Sequence, residues 1–239
     1  MNETIFITGA GKGIGKATSL LLAKQGYGLF LCDWDESNLK QTVAECESYT
    51  KEVCSISIDL QKKESVDKAI ALYQENFPSK TFRLKCLINN AGVGGWYKIE
   101  DFPVEKWDEI INVNLRGTFL VTKNVVPIFK EQAYGTVITI ASDASEFGFP
   151  TRTAYCASKY GLIGFSNSLR AELREWGIRV SSIYISRVDT YFNGNIPGKV
   201  PNILKPEHVA ETICFIVSRP DILEVREIKL TSIKSSYGI

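Results

Sequence analysis

Two hydrophobic periods alternate along the chain. Short, near-continuous apolar runs occur at residues 4–8 (TIFIT), 28–32 (GLFLC), 53–58, 84–89 (LKCLIN), 136–140 (TVITI), 179–185 (RVSSIYI) and 225–231 (VREIKLT). Between them lie stretches with apolar residues at helical spacing: 13–25 (Ile14, Ala17, Leu21, Leu22), 36–50, 64–76, a long or broken one over 104–130, then 154–176 and 206–218. The first kind predicts strands buried on both faces, the second amphipathic helices. Strands separated by helices imply right-handed crossovers and a parallel sheet. The expected fold is therefore α/β: one Rossmann-type, doubly wound parallel sheet of about seven strands with helices on both faces, as a single domain over 1–239. No repeat, low-complexity tract or linker interrupts it. The most irregular stretch, 190–205, holds two Gly and two Pro. Ligands of open α/β sheets gather beyond the carboxyl ends of strands, so this loop is expected to border the substrate.

The first predicted strand runs into Thr8-Gly9-Ala10-Gly11-Lys12-Gly13-Ile14-Gly15. Glycines between a strand and a helix permit a tight turn, let backbone approach a pyrophosphate and let the helix pack close to the sheet. The helix start then offers unpaired N–H groups and a positive dipole end. Gly9, Gly11, Lys12, Gly13, Ile14 and Gly15 are thus candidate contacts of a dinucleotide. The second strand ends at Asp33, 18 residues after Gly15. A carboxylate there accepts hydrogen bonds from ribose hydroxyls and repels a 2′-phosphate, which favours NAD(H) over NADP(H). Lys12 pulls the other way, and nearby Asp35 gives Asp33 a competing reading as a turn residue. Asp59, with Leu60 after it, is a candidate at the adenine; a turn or cap before the next helix is the competing reading.

Five segments in order then resemble the short-chain dehydrogenases/reductases. The glycine loop is similar to their T-G-x-x-x-G-x-G. Asn89-Asn90-Ala91-Gly92 resembles N-N-A-G, and Asn112-Val113-Asn114-Leu115 their helical V-N-L segment. Ser142 stands 13 residues before Tyr155, and Tyr155-Cys156-Ala157-Ser158-Lys159 matches Y-x-x-x-K. The resemblance implies hydride transfer between a nicotinamide and an alcohol or carbonyl carbon. It implies Asn114, Ser142, Tyr155 and Lys159 as the catalytic set, with Tyr155 and Lys159 also touching cofactor. It further implies that Lys159 holds the nicotinamide ribose and that Asn114 anchors a water linking Lys159 to solvent. Asn90, Ala91 and Gly92 would bound the adenosine ribose, with Asn90 structural. The family segment P-G-x-V-x-T is here Ile185-Ser186-Arg187-Val188-Asp189-Thr190. Val188 and Thr190 remain as nicotinamide carboxamide contacts; without Pro-Gly the segment is expected to take a different path. Dimers or tetramers through the helices carrying Asn114 and Tyr155 are implied.

The residues themselves agree with that chemistry. Tyr155 and Lys159 are i, i+4 on a helix and share a face. A nearby ammonium is expected to lower the tyrosine pKa, so that Tyr155 gives or takes a proton at the substrate oxygen while Ser142 positions it. Aromatic residues at 94–97, 146–150 and 185–195, including Trp96, Tyr97, Phe147, Phe149, Tyr191 and Phe192, point to an apolar or ring-bearing substrate. The altered segment at Ile185-Ser186 supports an alternative: a catalytically silent dinucleotide-binding regulator or scaffold.

Composition narrows the rest. Net charge is +1 from 28 basic and 27 acidic residues, so no field favours nucleic acid or an anionic membrane. No apolar run approaches the roughly 20 residues that cross a bilayer. Six cysteines without a C-x-x-C pair, and an opening Met1-Asn2-Glu3-Thr4 without a basic or cleavable segment, read as a reduced, cytoplasmic protein. The single histidine, His208, makes a histidine-based metal site or triad a poor prospect, and it reads as a plain surface residue.

Overall fold

The computed structural model describes residues 1–233; positions 234–239 of the predicted domain lie outside the described residues. Seven strands, β1 (Asn2–Thr8), β2 (Gly28–Asp33), β3 (Val53–Ser57), β4 (Phe82–Asn89), β5 (Gly135–Ile140), β6 (Ile178–Ile185) and β7 (Glu227–Leu230), pair in parallel throughout. Their order is β3-β2-β1-β4-β5-β6-β7. Direction of winding reverses between β1 and β4, and at such a switch point the strand ends open a crevice.

Helices α1 (Gly13–Lys24), α2 (Glu36–Cys46), α3 (Lys63–Asn76), α4 (Val104–Ile111), α5 (Thr118–Gln132), α6 (Thr153–Leu173) and α7 (Pro206–Val217) fill the intervals. Strand side chains alternate between faces, which divides the core in two. Ile5 and Ile7 meet Leu22 of α1, Leu39 of α2 and Val209 and Ile213 of α7 on one face. Phe6 between them meets Tyr73 of α3, Val125 and Phe129 of α5 and Leu169 of α6 on the other. There Phe6 and Phe30 stack with centroids 4.7 Å apart, and Tyr73 stands edge-on to Phe30 at 5.5 Å.

The predicted 104–130 helix is broken. A π-helical turn, Asn112–Gly117, separates α4 from α5. One extra residue in a turn re-aims the side chains it carries, a common device beside functional sites. Here it leaves Asn114 fully buried. The close approach of α6 to this turn requires Gly161, where an added Cβ would meet Leu115 Cδ2 at 2.8 Å.

The segment that lacks Pro-Gly continues along the sheet edge of β7. The Ser186 N–H donates to Leu230 O at 2.9 Å, and its hydroxyl accepts from Ser232 N at 3.3 Å. Ser186 lies outside the left-handed region, so a side chain is accommodated without strain. Beyond it Val188 pairs with Leu204 in an isolated bridge, and Asp189 N donates to Leu204 O at 2.8 Å. The 190–205 stretch is thus pinned at its base and carries a short helical turn, Phe192–Gly194. His208, read as a plain surface residue, also acts locally, since its Nδ1 accepts from Lys205 N at 3.2 Å and caps α7. No helix among the described residues is long and apolar enough to cross a membrane.

Candidate active site

The cofactor loop is built by contact between β1 and β4. Gly9 sits at φ +69°, a conformation costly for any residue with a Cβ, and an added Cβ would strike Ala91 Cα at 2.8 Å. Asn90 clasps the turn: its Nδ2 donates to Thr8 O at 3.1 Å and to Gly9 O at 2.9 Å. The Thr8 hydroxyl returns the clasp by accepting from Asn90 N at 3.1 Å and Ala91 N at 3.2 Å. Gly15 brings α1 against the turn, where a Cβ would lie 1.9 Å from Gly9 O. At the start of α1, Lys12 makes no side-chain cap and the first turn holds no acid. By contrast Asp35 caps α2, accepting from Asn38 N at 3.1 Å. The α1 N–H groups are therefore open to an anion from outside, as a pyrophosphate requires. Ile14, the second residue of α1, packs its side chain on the β1 core and leaves its backbone at this opening.

Asp33 ends β2 beside this loop. Its Oδ2 accepts from Gly11 N at 2.8 Å and its Oδ1 from Asp35 N at 2.9 Å, which fixes the carboxylate in place. Lys12 is held away: its Nζ lies 3.5 Å from Asp35 Oδ2 and 5.7 Å from the Tyr191 ring centre. Asp59 makes the local turn, accepting from Gln61 N at 3.0 Å and pairing with Lys62. Leu60 is buried against Gly117 of the π turn. On the far side, the Thr190 methyl lies where a Cβ on Gly13 would meet it at 3.0 Å, so the segment after β6 reaches the glycine loop. Thr190 N donates to Val188 O at 2.9 Å, and its hydroxyl accepts from Phe192 N at 3.3 Å. Glycine loop, open helix start, fixed carboxylate and returning segment together fit a dinucleotide.

The predicted catalytic residues converge at the end of β5. Ser142, which is buried, follows that strand; its hydroxyl donates to Asp143 Oδ1 at 2.8 Å and accepts from Ala144 N at 3.2 Å. Lys159, also buried, donates to Ile140 O at 2.8 Å. Asn114 holds the β4–α4 connection, its Oδ1 accepting from Val93 N at 2.8 Å and its Nδ2 donating to Val93 O at 3.0 Å. The same Nδ2 donates to Ser158 Oγ at 3.0 Å, and Ser158 donates to Tyr155 O at 2.7 Å. A Cβ on Gly92 would stand 3.3 Å from Asn114 Oδ1 and 4.0 Å from Lys159 Nζ, so both side chains reach the space beside Gly92. The Tyr155 ring is framed by Trp96, edge-on at 5.4 Å, and by Phe192 at 5.6 Å. Cys156 donates weakly to Phe147 O at 3.8 Å.

Proton affinities depart from the expectation. Burial pushes the Tyr155 hydroxyl up to about 12, while its hydrogen bond with Ser142 pulls less strongly the other way. Burial likewise pulls the Lys159 ammonium down to about 8. The Lys159 Nζ is turned to the Ile140 carbonyl and sits 5.7 Å from the Tyr155 ring centre. Lys159 is an ammonium below about pH 8 and an amine above it. Its folded value lies under its unfolded one, so the cost of burying its charge fades, and stability rises, as pH climbs from about 8 toward the ordinary lysine value. In lysine-labelled NMR, one side-chain resonance is expected to titrate near pH 8 and to vanish in Lys159→Met. A spectrum in which every lysine titrates near 10.4 contradicts this.

A family model described as short chain dehydrogenase matches residues 3–200. The chain belongs to the short-chain dehydrogenase family. Its relatives include the 3-oxoacyl-(acyl-carrier-protein) reductase of Thermotoga maritima, 33% identical over 226 residues, with 90% of each protein covered. An alcohol dehydrogenase from the archaeon Thermococcus sibiricus, complexed with 5-hydroxy-NADP, superposes with a TM-score of 0.92 at 27% identity, covering 100% of both chains. A 3-ketoacyl-(acyl-carrier-protein) reductase from Brucella melitensis, complexed with NADH, gives 0.87 at 25% identity, covering 96% of both. This short-chain dehydrogenase is thus a nicotinamide-dependent oxidoreductase, and the silent-scaffold alternative is not favoured.

Sequence reasoning passed over three side chains that shape the site. Ser158 was visible only as a spacer within Y-x-x-x-K, yet it links Asn114 to the Tyr155 backbone. Asn193, in the left-handed region at φ 52°, joins two loops: it accepts from Trp96 Nε1 and donates to Gly94 O at 3.2 Å. Arg152, three residues before Tyr155, lies with its guanidinium 4.6 Å from the Trp96 ring centre and 5.0 Å from that of Phe149. Its only advance signal was a cation amid the aromatic stretch.

Proposed function

We propose that the chain interconverts a carbonyl compound and its alcohol, with Tyr155 as the acid and base at the substrate oxygen and NAD(H) as the preferred cofactor. The convergence of Ser142, Tyr155 and Lys159 beyond β5, beside the dinucleotide loop, carries this reading. The nicotinamide supplies or accepts the hydride. Tyr155, protonated at every working pH with its value near 12, donates its hydroxyl proton to the carbonyl oxygen in reduction and regains one in oxidation. Ser142 turns its hydroxyl toward the same oxygen and stabilises the charge that develops there. Lys159, held at Ile140 O, lies within the cofactor-facing side of α6 and is assigned the nicotinamide ribose. Asn114 positions the set by locking the Val93 backbone and, through Ser158, the Tyr155 backbone. Gly9, Gly11, Gly13, Ile14 and Gly15 are assigned the pyrophosphate, Asn90, Ala91 and Gly92 the adenosine ribose, and Val188 and Thr190 the carboxamide. Asp59 and Leu60 are assigned the adenine. Turnover of NADH with a panel of aldehydes, ketones and oxo esters tests the reading; a protein that binds NADH and reduces none of them overturns it.

The NAD(H) preference rests on the fixed Asp33 carboxylate, which would face a dianionic 2′-phosphate. The structural neighbours do not favour it: an alcohol dehydrogenase and a metagenomic short-chain oxidoreductase are complexed with 5-hydroxy-NADP and NADP, and one reductase with NADH. Like charges brought together cost several kcal/mol, so NADH is expected to exceed NADPH in kcat/KM by about tenfold or more. Asp33→Ser is expected to close most of that gap. Equal use of both cofactors by the unaltered protein counts against the preference.

Assembly as a dimer or tetramer through α5 and α6 belongs to the same reading. Phe119 and Tyr160 stand exposed on those helices, and Phe119 lies edge-on to Phe165 at 6.5 Å.

A further inference from the structure

We infer that Arg152 selects the substrate: the site takes a carbonyl compound that also carries an oxyanion, a carboxylate or phosphate, gripped by this guanidinium. The inference rests on the hydride-transfer reading for what becomes of the bound anion, though not for its binding.

Arg152 is partly buried just before α6, and two aromatic rings, Trp96 and Phe149, lie against its guanidinium. The planar cation carries up to five N–H donors along its edge. Among the described residues no hydrogen bond or ion pair reaches that edge; only the Arg152 backbone is engaged, its N–H donating to Phe149 O at 3.2 Å. The other arginines packed into the molecule behave differently. Arg83 donates to Glu3 Oε1 at 2.8 Å, Arg170 to Val180 O at 3.0 Å, and Arg179 to three carbonyls between residues 219 and 223. A partly buried guanidinium without an acceptor, set beside the site, is free to take one from a ligand.

The neighbouring carboxylates do not answer it. Asp143 accepts from Ser142 Oγ and Ala144 N, Glu146 pairs with Lys229, and Asp189 accepts from Gly198 N. Arg152 does sense the reacting group, since its positive charge is among the influences that lower the Tyr155 hydroxyl. One ring, Trp96, touches both Arg152 and Tyr155. A substrate with its carbonyl at Tyr155 and its body along Trp96 and Phe192 therefore delivers an anionic end to the guanidinium edge. The edge matches carboxylate and phosphate oxygens in bidentate fashion.

The test uses protein saturated with NAD⁺ and matched probes: benzoate, methyl benzoate and phenyl phosphate, read by quenching of tryptophan fluorescence. Benzoate or phenyl phosphate is expected to bind about tenfold or more tightly than the neutral ester, the range for a hydrogen bond to a charged group. The tighter of the two names the oxyanion. Arg152→Met is expected to erase the preference and Arg152→Lys to restore part of it. Loss of a merely structural stack would weaken acid and ester alike and leave their ratio unchanged. Equal binding of ester and anions by the unaltered protein, or a preference that survives in Arg152→Met, overturns the inference. Turnover is scored separately on 4-formylbenzoate and its methyl ester. If the anions bind through Arg152 while neither aldehyde nor any other carbonyl is reduced, the hydride-transfer reading fails and the anion site stands.

Discussion

Tyr155→Phe is expected to lower kcat/KM by about 10²–10⁴-fold, the range assigned to a positioned general acid, while leaving NADH affinity nearly unchanged. The substitution removes one oxygen and keeps the ring. Its contacts with Trp96 and Phe192 are ring contacts, and the Ser158 bond goes to the Tyr155 carbonyl, so the frame survives. What disappears is the hydroxyl poised beside Ser142 with its proton retained to about pH 12. Ser142 is a poor replacement, because an aliphatic hydroxyl can hydrogen-bond the substrate oxygen but gives up its proton far less readily than a phenol. Parallel measurement of NADH binding and carbonyl reduction separates the two effects. A Tyr155→Phe protein retaining a tenth of the rate, or losing cofactor binding in proportion to rate, would remove Tyr155 from the chemistry.

Gly15→Ala is expected to abolish detectable cofactor binding and to destabilise the fold. The added methyl would lie 1.9 Å from Gly9 O and 2.7 Å from Gly9 C, both backbone, and 2.8 Å from Asn90 Nδ2, a side-chain end tied to Thr8 O and Gly9 O. Relief requires α1 to move away from the β1 turn. That opens the Asn90 clasp on Thr8 and Gly9 and displaces the helix start assigned to the pyrophosphate. Overpacking of this kind costs roughly 3 kcal/mol or more, and at this chain length each kcal/mol lowers Tm by about 2–4 °C. Gly164→Ala provides the contrast. A methyl there meets nothing within 4 Å on an exposed position of α6, and NADH affinity is expected to stay unchanged. Calorimetry with and without NADH measures both outcomes. A Gly15→Ala protein that keeps its Tm and its cofactor would show that the loop has slack the structure denies.

The sheet was legible in the sequence because each of the seven runs became a strand: β1, β2, β4, β5 and β6 are apolar runs buried along most of their length, while the edge strands β3 and β7 stay partly exposed. A break within 104–130 was one of two readings, but its place and π-helical form at Asn112–Gly117 were not legible, since a single inserted turn barely disturbs helical spacing. That turn nevertheless buries Asn114 and lets it bind Val93 on one side and Ser158 on the other. Ser186 shows a similar limit. The loss of Pro-Gly was visible, and an altered path was expected, but not the use of the new side chain: the Ser186 hydroxyl accepts from Ser232 N beyond the neighbouring strand. The relation of Tyr155 to Lys159 was read from i, i+4 adjacency, which carries no information about solvation. In the folded chain burial outweighs their attraction and moves the two values apart from expectation, the tyrosine upward and the lysine downward. Arg152 and Asn193 escaped notice for another reason: each acts through Trp96, a residue far away in the chain, and no local pattern records that meeting.

Deuterium transfer from NADH labelled at nicotinamide C4 tests the central claim most directly. With 4-formylbenzoate or another carbonyl that the protein accepts, the account predicts deuterium on the new carbinol carbon, from one face of the nicotinamide only, and none above background with Tyr155→Phe. Label that stays on NADH while the protein holds it tightly, or that transfers equally well without the Tyr155 hydroxyl, would contradict it.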